Sequence, residues 1–132
     1  MILHGVQKKE MEQVFPLTTE WLVKIPRLLD RYTLAHVYQE LDGGYWQIWL
    51  MMDNTIHGVL LSKIIQYPVC REFHLIGIAG EKMREWLPLR PVLERYAREN
   101  GCVRIILQNA RKGFARVLPD YSGNRVIMEK TL

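Results

Sequence analysis

Cysteine is scarce in this 132-residue chain, with Cys70 and Cys102 the only two. Two thiols close at most one bridge, which excludes a disulfide scaffold, and apolar neighbours suit each as a small core residue. Long apolar runs are also missing. The longest stretch without a charge, residues 43–52, is about half of the ~20 residues a bilayer-spanning helix needs, so no membrane role is expected. Metal-ligand spacings are absent. No two histidines stand four apart and no C-x-x-C occurs, so no metal is expected. Neither a G-x-S-x-G elbow nor a phosphate-binding P-loop appears. The first residues, MILHGVQKKE, lack the charged, apolar, small order of a secretion leader, so a cytoplasmic protein is expected.

What is present fits one domain over residues 1–132. Hydrophobic residues make up 48% and charged residues 24%, enough apolar material for a core. Net charge is +4, but residues 81–132 carry eleven basic and six acidic side chains while residues 1–80 carry seven and eight. Such a surplus suits an acidic partner or a phosphorylated ligand. Few aromatics interleave the basic residues, so a nucleic-acid role is not expected.

The order of elements follows from periodicity and punctuation. Residues 8–38 read as helix broken at Pro16 and Pro26, with Thr18-Thr19-Glu20 as a helix start. The second helical piece runs from Pro26 to about Leu41. Asp42-Gly43-Gly44 is a turn, and YWQIWLMM from Tyr45 is an aromatic strand. Residues 56–65 form a second strand able to bend at Gly58, and residues 70–78 a third. Phe73 and Leu75 fall on one face of the third strand, with Gly77 beside them, and His74 and Ile76 on the other. Helix follows from Glu81 to Asn100, renewed at Pro91. Residues 102–107 are a strand, 109–118 a short basic helix, and 124–132 a final strand. The expected class is α/β: a mixed sheet of five to six strands with N-terminal helices, an antiparallel three-strand meander, a right-handed βαβ crossover, and a C-terminal helix and strand.

Several side chains are candidates for chemistry or contact. His57 and His74 lie on neighbouring strands, where they are either a base for an amine or ordinary cross-strand polar residues. Arg111, Lys112 and Arg116 form the densest basic cluster, with Arg104 and Arg125 near in sequence. They read as a solvated helix face or a docking face. Trp46 and Trp49 stand three apart, so a regular strand points them to opposite faces. Either helices cover both, or one of them anchors a partner or a second copy.

The order of elements, with ARENGCVRIIL at 97–107 and NARKGFARVL at 109–118, resembles the GNAT acetyltransferase superfamily. More narrowly, the aromatic strand at 45–49, the Gly-to-Trp segment at 80–86, the Gly-Cys-x-x-Ile element at 101–105 and the RKGFARVL helix at 111–118 resemble small GNAT-like proteins encoded among virion-assembly genes of tailed bacteriophages. The likeness runs from about Thr19 to Leu132. It implies a phage product in the infected bacterial cytoplasm or associated with the virion, with a phage or host protein as partner. It also implies that acetyl-CoA, if used, sits on Ile78, Ala79, Gly80, Glu81 and Lys82, with Glu72 as a further candidate base. The chain departs from the superfamily at this point. The pyrophosphate loop Arg/Gln-x-x-Gly-x-Gly/Ala is not present as written in IGIAGEKMR at 76–84. Glu81 has the wrong sign for an anion site. The slot for the acid Tyr that protonates the departing thiolate falls near Arg116. The reading that follows is a catalytically degenerate acetyltransferase-like domain without cofactor, working through protein contacts. The alternative is an N-acetyltransferase with an atypical acetyl-CoA loop.

Overall fold

The computed structural model describes residues 1–81, 83–108, 121, 130 and 131. Among these, five strands form one sheet in the order β1 (Ile2–Gly5), β2 (Trp46–Met52), β3 (Ile56–Gln66), β4 (Arg71–Gly80), β5 (Arg104–Leu107). The first four pair antiparallel, and β5 runs parallel to β4. That parallel step requires a crossover, supplied by α4 (Met83–Trp86), a 3-10 turn at Leu87–Leu89 and α5 (Arg90–Glu99). The expected mixed α/β sheet, meander and βαβ unit are therefore the observed ones. The expected basic helix at 109–118 and the final strand at 124–132 lie outside the described residues.

The N-terminal part differs from expectation in three places. A first strand, β1, precedes the helices and pairs with β2. Helix α1 spans Met11–Leu22 with Pro16 inside it, so Thr18 and Thr19 do not start a helix. Their hydroxyls instead donate to the carbonyls of Phe15 (2.7 Å) and Pro16 (3.1 Å). Proline costs α1 one backbone bond, and a well-buried face outweighs that loss: Met11, Thr18, Trp21 and Leu22 are all buried. The second helical piece is split into α2 (Leu28–Arg31) and α3 (Leu34–Asp42). Thr33 caps α3 by accepting the His36 N–H at 3.1 Å.

Alternation along the strands sends side chains to two cores. Trp46, Ile48, Leu50, Val59 and Leu61 pack under α1–α3. Trp49, Met51, Leu60, Phe73 and Leu75 pack with Trp86, Leu93 and Ala97 of α4 and α5. The two tryptophans thus take opposite faces and both are buried, at 7% and 5% exposure. Trp46 meets Tyr32 edge-on with centroids 4.9 Å apart, and Trp49 meets Tyr96 at 5.0 Å. Neither is available as a partner anchor on the surface, which corrects that expectation: helices cover both faces of the sheet.

Two irregularities shape the sheet. One lies between Met51 and Met52 opposite 56–58, and the other between Leu61 and Ser62, where Leu61 faces Gly77 and Ser62 faces Leu75. The second makes Ile76 an extra residue and turns Gly77 to the face of His74, not to that of Phe73 and Leu75. Gly77 then lies under Ile25: a Cβ there would come within 2.2 Å of Ile25 Cγ2. Gly58 and Gly80 pair across β3 and β4, and a Cβ on Gly58 would meet Ala79 O at 2.6 Å and Gly80 Cα at 2.8 Å. These obstacles are backbone and cannot swing aside. Gly58→Ala is therefore expected to destabilise the fold by about 1–3 kcal/mol, read as a lowered urea midpoint with an unchanged slope.

Candidate functional site

The chemistry-bearing side chains gather where β4 parts from β5. Strand pairing covers Glu72–Leu75 against Arg104–Leu107, and the last bond across it is Gln108 N–H to Leu75 O at 3.1 Å. Glu72 and His74 stand two apart, so both point to the face of α1–α3. Both are buried, at 5% and 6% exposure.

Their polar atoms are committed to one another. Glu72 Oε1 lies 3.0 Å from His74 Nε2, and Arg104 Nη1 donates to Glu72 Oε2 at 3.1 Å. The Gln108 amide nitrogen lies 3.0 Å from His74 Nδ1. An amide nitrogen can only donate, so Nδ1 accepts and the ring proton sits on Nε2, directed at Glu72. The chain of bonds runs Gln108 to His74 to Glu72, with Arg104 closing the other oxygen. The His74 hydrogen bond is the largest influence holding the Glu72 carboxyl below its ordinary range; Arg104 adds to it and burial opposes it. A carboxylate so held is a weak base, and both ring nitrogens of His74 are engaged in hydrogen bonds.

His57 stands elsewhere. His74 pairs with Lys63, whereas Gly58, next to His57, pairs with Gly80. Six strand positions, about 20 Å at ~3.3 Å each, separate the two histidines, so they do not face one another. The His57 ring instead binds Asp53 Oδ1 at 2.8 Å in the β2–β3 turn. The Thr55 backbone N–H and then His57 hold the Asp53 carboxyl down at about 2.

Residues 78–81 form the exit of β4. Ala79 is buried and Glu81 is exposed. The Glu81 N–H donates to His57 O at 2.8 Å, so this amide is turned into the sheet. The following helix, α4, is only four residues long, too short for an appreciable macrodipole. Glu81 does not suit a diphosphate: its amide is spent on His57 and its own exposed carboxylate stands beside it. Lys82, and the cluster Arg111, Lys112 and Arg116, lie outside the described residues. Arg104, expected beside that cluster, is paired with Glu72. Gln108 was not a candidate; the signal for it was being the first polar residue after an apolar strand. Among the described residues no group of three or more His, Cys, Asp or Glu could hold a metal. No helix among them is long and apolar enough to cross a membrane.

Comparison with solved structures places this architecture among the acetyltransferases. A probable acetyltransferase superposes with a TM-score of 0.68 at 13% identity, covering 100% of this chain and 97% of the other. An aminoglycoside acetyltransferase from an uncultured soil metagenomic sample, in complex with sisomicin, gives 0.67 at 14%, covering 98% and 95%. A ribosomal-protein-alanine N-acetyltransferase from Brucella melitensis gives 0.64 at 12%, covering 100% and 99%. The described residues therefore have the GNAT acetyltransferase fold. No protein-family model matches the sequence, and no curated protein matches it.

Because the Glu72 carboxyl is depressed, it contributes stability above its unfolded value and loses that contribution as pH falls through its folded value. Glu72→Gln is expected to cost about 1–3 kcal/mol at neutral pH and to flatten the loss of stability on acidification. Urea midpoints measured from neutral to acid pH check both effects.

Proposed function

We propose that this protein is a phage-encoded domain of acetyltransferase fold that has given up acetyl transfer. It acts through contacts with a phage or host protein, in virion assembly or in interference with the host. The observation that carries the reading is the closed network at the fork of β4 and β5. The two candidate bases nearest the fork, Glu72 and His74, use their polar atoms on each other, on Arg104 and on Gln108. The bonded Glu81 amide and its exposed carboxylate point the same way. A fold is kept more readily than its site, so an acetyltransferase architecture does not carry the reaction with it. The phage assignment is supported by the order of motifs from the aromatic strand at 45–49 to RKGFARVL at 111–118. Work in the infected cell's cytoplasm, with or without incorporation into the virion, goes with it.

A second reading, an acyl-CoA-dependent N-acetyltransferase with an atypical loop, is favoured by one observation. Beyond Leu75 the outer edge of β4 has no strand partner among the described residues. The Glu81 N–H faces β3, so alternation turns the amides of Ile78 and Gly80 outward. Those two amides could meet an extended amide-bearing arm such as that of acetyl-CoA. Calorimetric titration of the full chain with acetyl-CoA separates the readings. The first expects no heat of binding up to millimolar ligand. Saturable binding at micromolar strength, with acetyl transfer to an amine, would establish the second instead.

A further inference from the structure

Among the described residues, the sheet has an edge that its sequence leaves unguarded. Strand β1 borders the sheet beside β2. Val6 N–H donates to Ile48 O at 3.1 Å, so by alternation His4 and Ile2 also turn their backbone groups to β2. Leu3 and Gly5 therefore aim their N–H and C=O groups away from the sheet. Edges of this kind are normally blunted by a lysine, a proline, an inward charge or a bulge. Residues 1–7, MILHGVQ, contain no Lys, Arg, Asp, Glu or Pro, and the pairing of β1 with β2 is regular. The titratable group His4 is turned toward Glu10, 3.2 Å from its carboxylate.

The side chains fit one occupant, a second copy of the same strand. We propose that the protein forms a two-fold dimer in which β1 pairs antiparallel with β1 of its partner, making one continuous sheet. The register follows from the outward groups. Leu3 must oppose Gly5 of the other copy for both residues to exchange both of their hydrogen bonds, which gives four bonds across the axis. His4 then faces its own counterpart on the axis, and Ile2 faces Val6. Two of these pairings match in shape. Leu3 is bulky and Gly5 has no side chain; Gly5 lies so close beneath the Trp49 ring that a Cβ would approach it to 3.0 Å. Ile2 is 59% exposed within one copy and would gain an apolar neighbour on the same face of the sheet. A two-fold axis uses the same patch twice and removes both edges in one step. This dimer is independent of whether the fork of β4 and β5 binds coenzyme.

Sedimentation equilibrium of the full chain tests the proposal, with an expected mass of twice 15.6 kDa. Ile2→Lys, at an exposed position, sets a charge on the edge strand opposite the apolar Val6 of the other copy and is expected to return the single-chain mass with an unchanged circular dichroism spectrum. The register is tested by His4→Cys. Non-hydrogen-bonded antiparallel pairs hold their Cα atoms about 4.5 Å apart, within disulfide reach. Oxidation should therefore convert His4→Cys, but neither Ile2→Cys nor the unaltered chain, to a covalent dimer. A single-chain mass at micromolar concentration overturns the proposal. So does a dimer whose mass is unmoved by Ile2→Lys and whose His4→Cys variant does not cross-link.

Discussion

One polar network decides what the centre of this sheet can do. Glu72 is buried between two donors, the His74 ring and the Arg104 guanidinium, and His74 is held in turn by Gln108. An unpaired carboxylate at 5% exposure would be costly, so the partners are required by burial before any question of activity arises. The same bonds join β4 to β5 over the four residue pairs where those strands touch. They stop where the strands diverge, so the network also marks the fork.

The rest of the architecture is arranged around that fork. The extra residue at Ile76 turns Gly77 toward α1–α3, and Ile25 lies directly against it. Farther along, Gly58 and Gly80 bring the backbones of β3 and β4 close enough that neither tolerates a side chain. The Glu81 amide bonds to His57 as β4 ends. The leading amide at this exit, that of Glu81, is thereby spent on the protein itself.

Much of the fold was legible in the chain. Alternation in YWQIWLMM predicted that Trp46 and Trp49 part to opposite faces, and the turn residues Asp42-Gly43-Gly44 marked the start of the meander. The βαβ unit followed from a strand, a helix ending at Asn100-Gly101 and a second apolar run. Three features were not legible, each for a physical reason. Strand β1 is only four residues long and gains its stability from pairing with β2, which local propensity does not reveal. Pro16 suggested a helix boundary, yet the buried face of α1 carries the helix through it. Strand register depends on two bulges, and register decides that His57 and His74 stand far apart. Glu72 and His74 could be placed on one face from their spacing. Arg104 and Gln108 join them only through the parallel pairing of β5, a contact that local sequence does not encode.

At the exit of β4 the Glu81 amide is committed to the sheet through its bond to His57, not held open for a coenzyme. Hydrogen exchange at the Glu81 amide, measured with and without acetyl-CoA, tests it most directly. The account predicts a slowly exchanging amide, bonded to His57, whose rate the coenzyme leaves unchanged. A rapidly exchanging Glu81 amide that becomes protected when acetyl-CoA is added would contradict it.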